Sequence, residues 1–475
     1  MAASTGSGNY DAVVQAYNAN TFATISSGDT VTLTDNVTGC NFFKIEAGAT
    51  LVGGGFSITI DNDSSNHSFI NNGTISGVLD VIITNPNGQS NFNANGEGGN
   101  VRNLTVNNAG AVVTMYNEDQ TLDGDLIITA GQLTTNDGSA DRGLTVTKAC
   151  DVSTAGTLNL NGSTVSLGTI NVANGASASM TFSSATTTIT LDPNSTHPTW
   201  GFSLGSAATV NFNSGTIKFA KVDSGTRYMQ MGAEGTHVLN DVIVDTNYDI
   251  PWAGFFEAAS LDIQDGNLNS YGGSTGITIT GPLTVGNGSD AASLGYTSDS
   301  NGFHDQKFGG IKLVNNGTLN GSNQTMTVTN RYTGESHLWK NDGGTWNHNN
   351  GTVKFNDNDH SAVKENTFYN VEVESNLGDY AVSFEAQGGG GNAFTILGDL
   401  TITRGDFELV NANDTCDIHG QTIISGSSNS AARFNNDKNQ TATITHHGLI
   451  TIIQGTYHVE DGATVNMAGI RNVGG

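Results

Sequence analysis

Only 3 cysteines, 5 prolines and 4 tryptophans occur in 475 residues, and charged side chains make up 13% of the chain, about half the usual share. Cys40, Cys150 and Cys416 stand far apart, odd in number and with no Cys-x-x-Cys spacing. That excludes a disulfide framework and a cysteine zinc site, and leaves each thiol as a small apolar residue suited to a core. Lys and Arg number 17 against 44 Asp and Glu, a net charge of −27. So acidic a surface repels phosphates and anionic headgroups, and removes nucleic acid and membrane insertion from the expected partners. No apolar run approaches the roughly 20 residues of a spanning helix. Residues 1–10 show neither a basic n-region nor an apolar h-region, as expected of a protein that carries no secretory leader. Helical periodicity is missing too, except over residues 11–17, where Val13, Val14 and Tyr17 share a face. A short helix there is expected to close the first turn of the fold, making residues 1–20 an N-terminal cap.

What is present is uniform. Gly contributes 62 residues, and the 36% hydrophobic fraction is spread evenly, so the chain is not of the charge-dense, aliphatic-poor composition that stays disordered. Short segments alternate Thr or another polar residue with an aliphatic one: Thr30-Val-Thr-Leu-Thr34, Ser57-Ile-Thr-Ile-Asp61, Asp80-Val-Ile-Ile-Thr84, Gly276-Ile-Thr-Ile-Thr280. Period two with β-branched residues specifies strands with one wet and one dry face. Asn-Gly pairs at 72–73, 87–88, 161–162, 174–175, 287–288, 316–317 and 350–351 supply residues that tolerate positive φ at tight corners.

A long repeat organises these strands. Gly124-Asp-Leu-Ile-Ile-Thr-Ala-Gly131-Gln-Leu133 returns as Ala259-Ser-Leu-Asp-Ile-Gln-Asp-Gly266-Asn-Leu268 and as Gly398-Asp-Leu-Thr-Ile-Thr-Arg-Gly405-Asp-Phe407. Leu126, Leu261 and Leu400 hold the same place in each copy, a period of about 135 residues. Gly215-Thr-Ile-Lys-Phe219 and Gly351-Thr-Val-Lys-Phe355 repeat at the same spacing. Composition does not shift and no linker intervenes, so the expected fold is all-β, a right-handed parallel β-helix or β-solenoid with internal repeats of about 135 residues. Residues 21–100 would form its first coils, and 101–475 a continuous solenoid with diverged copies at about 101–235, 236–365 and 366–475. Coils of about 20–25 residues imply about 17–20 coils. Tandem β-sandwiches are the alternative, because the close, regular spacing of short strands serves either fold.

Ser27-Gly-Asp-Thr-Val-Thr-Leu-Thr34, Ile45-Glu-Ala-Gly-Ala-Thr-Leu-Val52 and Phe69-Ile-Asn-Asn-Gly-Thr-Ile-Ser76 resemble the first coils of pectate-lyase-like right-handed β-helices. The later Gly-Asp-Leu-Thr-Ile-Thr and Gly156-Thr-Leu-Asn-Leu-Asn161 phrases resemble solenoid stretches of phage virion proteins, tail fibres and bacterial adhesins. Such a resemblance implies an elongated surface appendage, often trimeric, and carries no catalytic residue over to this chain.

Motifs with chemistry are sparse. Gly-x-Ser-x-Gly occurs around Ser203 and Ser274 without the strand-then-helix context of a nucleophile elbow. Glycan-cleaving solenoids need paired carboxylates, for which Asp262 with Asp265, Asp357 with Asp359, and Asp299 with Asp305 beside His304 are the candidates; position 262 corresponds to Ile127 and Thr401 in the other copies, and solvated loop acids are the expected role. Asp61-Asn-Asp63 and Asn356-Asp-Asn-Asp359 carry oxygen ligands suited to Ca2+ but lack the glycine and terminal glutamate of a calcium loop, so no cofactor or metal is expected. His446 and His447, adjacent on a strand, would face opposite ways. Residues 331–348, with Arg331, Tyr332, His337, Trp339, Trp346 and His348, read as an aromatic loop protruding from the coils, and Trp252, Phe255 and Phe256 form a second aromatic group. Half-exposed aromatics suit a sugar, a neighbouring subunit or an internally packed loop.

The expected function is structural or adhesive and non-enzymatic: a phage virion component such as a fibre, spike or capsid decoration, located on the virion. It would be homo-oligomeric, a trimer by resemblance, and partnered by capsid or tail proteins or a host-surface glycan. A tailspike-like depolymerase and a secreted or cell-surface adhesin are the alternatives.

Overall fold

The computed structural model describes residues 2–14, 21–61, 67–86, 88–182, 186–189, 200–220, 228–271, 276–296, 306–357, 361–375, 381–385, 393–409, 415–428, 431–436, 441–459 and 461–474. They form two compact units, Met1–Asp241 and Val242–Gly475. The fold is a parallel β-solenoid of about 17 turns, with 66% of residues in strands and 1% in helix. Parallel pairing between successive turns rules out the tandem sandwiches, whose sheets are antiparallel.

In Met1–Asp241, residues one turn apart stand side by side and the aliphatic half of each alternation points inward. The strands Ser57–Ile60 and Asp80–Ile83 both bury their second and fourth residues. Val81, Leu104, Leu126, Cys150 and Ile170 succeed one another in a single file, all buried. A second file stacks Tyr10 on Phe43, Phe43 on Phe69 and Phe69 on Phe92, with ring centroids about 6 Å apart. Burying each such side chain is worth about 1.5–3 kcal/mol. A small separate sheet pairs Gly8–Asn9, Thr30–Thr32, Thr50–Val52 and Thr74–Ser76 in parallel. The expected helix is shorter than its periodicity implies: it spans Tyr10–Val13, and Tyr17 lies outside the described residues.

In Val242–Gly475 the same logic uses larger side chains. Leu261, Leu283, Ile311, Trp339 and Val363 make one file; Val382, Phe407, Phe434 and Tyr457 make another. Turn lengths vary more than a coil of constant length allows. Val353 finds its partner one short turn on, at Val371, whereas in the other unit Ile170 must wait for Phe202.

The repeated phrase marks a corner. Gly131, Gly266 and Gly405 have φ of 91°, 80° and 81°, where an L side chain is strained. A Cβ on Gly266 would lie 2.1 Å from the Thr246 carbonyl oxygen, and on Gly131 2.3 Å from that of Asn108. Only glycine lets the backbone turn this close to the turn beneath. Of the Asn-Gly pairs, Asn161, Asn316 and Asn350 take the left-handed conformation themselves.

All three cysteines are buried and free, in files of apolar neighbours such as Phe394, Cys416 and Ile444. Burial pushes the Cys40 thiol up to about 12 and also raises Cys150 and Cys416, far from the thiolate range.

Candidate interaction surface

Residues 331–348 do not protrude as a loop. His337–Asp342 and Thr345–Asn347 are strands paired in register with Gln306–Val314 and Gly317–Asn320. Trp339 therefore occupies a core file and is fully buried, as are Trp252 and Phe256; these three aromatic side chains offer no surface to a partner or sugar. Trp339 packs edge-on against Trp346 and Phe368, and Trp252 against Phe256 at 6.0 Å. Period two continued through the weaker strand pattern and turned Trp339 inward.

Phe255 and Trp346 are half-buried for a common reason. Phe255 is opposite Gly276 one turn on, and its ring lies where a Gly276 Cβ would be, 2.1 Å from that position. Trp346 lies over Gly321 in the same way, at 2.4 Å. Each aromatic ring covers backbone that glycine leaves bare.

Tyr332 remains at the surface, half-buried, beside the most organised charge among the described residues. Lys312, Lys340 and Lys364 are successive residues of one outward file. Like charges directly opposite on adjacent strands destabilise a sheet, and here acids intervene. Glu335 contacts Lys312 at 3.3 Å and Lys340 at 2.8 Å; Asp342 contacts Lys340 at 3.3 Å and Lys364 at 3.5 Å. The hydrogen bond from Lys340 holds the Glu335 carboxyl below its ordinary range, and Glu335 in turn raises Lys340. His337 reaches Glu385 at 2.9 Å. The Tyr332 hydroxyl is 2.8 Å from Thr284 Oγ1, and Lys312 Nζ sits 5.5 Å from its ring centroid. The result is an aromatic-edged strip of paired lysines and carboxylates on a chain of net charge −27.

Of the candidate carboxylate pairs, Asp262, Asp265 and Asp357 are described, each with its own hydrogen-bond partner. Asp262 Oδ2 accepts from Gln264 at 2.7 Å and burial raises its carboxyl, whereas Asp265 Oδ1 accepts from the Gly266 amide at 2.8 Å. Asp357 is buried and accepts from the Ser361 hydroxyl; Asp359, Asp63, Asp299, His304, Asp305 and Ser274 lie outside the described residues. Ser203 Oγ is 3.3 Å from Gln230 Oε1, on the strand Trp200–Leu204.

Two groups were not anticipated. Glu365 is buried, accepting from Trp339 Nε1 at 3.3 Å, Asn341 Nδ2 at 2.9 Å and the Asn366 amide at 2.8 Å, and burial raises its carboxyl. The alternation through Ser361, Val363 and Glu365 already pointed it inward. The donor atoms of Asp417, His419 and His447 lie within 4.8 Å of one another; that grouping depends on turn-to-turn register, which adjacent-residue spacing does not reveal.

No protein-family model, curated protein or solved structure matches the chain.

Proposed function

We propose that this chain is a structural, non-catalytic element of a surface assembly, with the Tyr332–Lys312–Lys340–Lys364 strip as its contact face. One observation carries the reading: the side chains with the most chemistry to offer join one turn to the next. Lys354 contacts Glu372 at 3.1 Å and also Glu374, Arg102 grips Asp80, and Arg433 contacts Asp406 at 2.6 Å. Ion pairs at the surface are worth about 0–1 kcal/mol each, so the value of such contacts lies in repetition along the coils. The sequence resemblance supports a role on a virion, as a homo-oligomeric fibre, spike or capsid decoration that binds capsid or tail proteins or a host-surface glycan. A secreted or cell-surface adhesin would use the same strip.

Light scattering and electron microscopy of the purified chain test this, alongside incubation with bacterial capsular polysaccharides. The expected outcome is a defined oligomer or glycan complex that Lys340→Glu weakens, with polysaccharide chain length unchanged. Release of oligosaccharide fragments would instead establish a glycan-cleaving enzyme and remove this proposal.

A further inference from the structure

Within Val242–Gly475, the strands Thr415–Ile418 and Thr443–Gln454 pair in parallel, with Asp417 opposite Thr445 and Ile418 opposite His446. The next outward positions are His419 and His447. Their rings stack with centroids 4.7 Å apart and planes 23° from parallel, the spacing of adjacent strands. Asp417, two residues before His419, shares its face, and its Oδ1 lies 3.2 Å from His447 Nε2. His446, by contrast, points into the core, as alternation requires.

We infer that Asp417, His419 and His447 form a binding site for a divalent transition-metal ion. Two imidazoles and one carboxylate are the donors that select Zn2+, Ni2+, Cu2+ or Co2+ over Ca2+ and Mg2+, which prefer all-oxygen ligands. The three donor atoms already lie within 4.8 Å of one another, so side-chain rotation alone brings them to a shared ion at bond lengths of about 2.0–2.2 Å. The scaffold is rigid because the ligands stand on or directly beside paired strands. Gly420 and Gly448 follow the two histidines, and a Cβ at 448 would lie 2.2 Å from the Gly420 carbonyl oxygen. The corner beside the ligands is thus close-packed backbone with no side chain to shield them. His419 and His447 are exposed and Asp417 half-exposed, so water completes the coordination. The net charge of −27 raises the local cation concentration. A bound ion joins two successive turns, the same job that the Lys–Glu pairs do elsewhere.

The test uses the full chain without a histidine tag. Co2+ is titrated while its visible d–d absorption is followed, and Zn2+ is added in thermal unfolding. One saturable Co2+ per chain and a Zn2+-dependent rise in Tm are expected. Both should vanish in His419→Ala/His447→Ala, and Asp417→Asn should weaken Co2+ binding by about tenfold or more. His419→Gln/His447→Gln serves as a second variant should the alanine pair fail to fold. Wild-type protein that binds no Co2+, or binds it as the double variants do, overturns the proposal.

Discussion

At the first turn, Tyr10 and Val14 fold over the core and are buried, with Tyr10 stacked on Phe43. At the last turn, Met467 and Ile470 stand opposite His446 and Ile450, which are core positions, yet Met467, Ile470 and Val473 are 43, 53 and 52% exposed. Both turns face the same physics: among the described residues each pairs with a neighbouring turn on one side only, and an inward face without a neighbour is either covered or wet. A four-residue helix solves this at one turn with the ring of its first residue. The other leaves Met467, Ile470 and Val473 exposed among the described residues. Stability should therefore be distributed unevenly, high under Tyr10 and low in the strand Thr464–Asn472.

The widest gap between the two should appear on truncating core side chains. Phe43→Ala removes a fully buried ring stacked on both sides and is expected to cost about 3–5 kcal/mol; Ile470→Ala should stay within about 0.5 kcal/mol. Urea unfolding of both variants decides it, and similar costs would mean that the last turn is not open. A somewhat smaller effect is expected from His446, one turn below the open face. It is buried between Thr422 Oγ1 at 2.8 Å and Tyr457 Oη at 2.9 Å, and desolvation pushes its pKa down to about 4. A depressed imidazole favours the fold at pH values above its unfolded pKa of about 6.5, and that contribution drains away as pH falls through about 4. The loss approaches about 3 kcal/mol at 1.36 kcal/mol per unit. His446→Gln should flatten this part of the stability–pH curve relative to wild type; parallel curves would show that water already reaches the turn beneath the last one.

The alternating Thr-aliphatic segments and the recurrent Leu-x-Ile-x-x-Gly phrase made the parallel solenoid readable, because period two and corner glycines are local signals. Which aromatic residues face out was not readable to the same degree. Trp339 and Trp346 differ in burial although both stand opposite buried residues of the preceding turn, Ile311 and Leu319, so neither alternation nor register alone separates them. The lysine file and the Asp417–His419–His447 group share that limit: their members lie on different turns, distant in sequence and adjacent only through turn length. The step from Val353 to Val371 is far shorter than that from Ile170 to Phe202, so no fixed period could have aligned them. Glu365 is the opposite case, a carboxylate whose inward direction alternation predicts and whose partners it does not.

Glycine substitution probes the same contrast at the backbone. Gly266 turns a corner at φ 80°, and an alanine there would set its Cβ 2.1 Å from the Thr246 oxygen and 2.8 Å from that of Tyr248. Left-handed strain alone costs about 1–2 kcal/mol, and the carbonyl oxygens belong to a paired strand that cannot retreat without breaking its own ladder. Gly266→Ala is therefore expected to cost about 2–3 kcal/mol. Gly469, in the last turn, has no positive φ, and its Cβ would meet only Leu449 Cδ1 at 3.4 Å, the movable end of a side chain that is itself exposed. Gly469→Ala should be neutral within about 0.5 kcal/mol, or slightly stabilising because alanine restricts the unfolded chain. Denaturant midpoints for the two variants give the comparison directly. If Gly469→Ala proves as costly as Gly266→Ala, the last turn is as tightly seated as the interior ones, and its exposed Ile470 and Val473 face a surface that is already rigid.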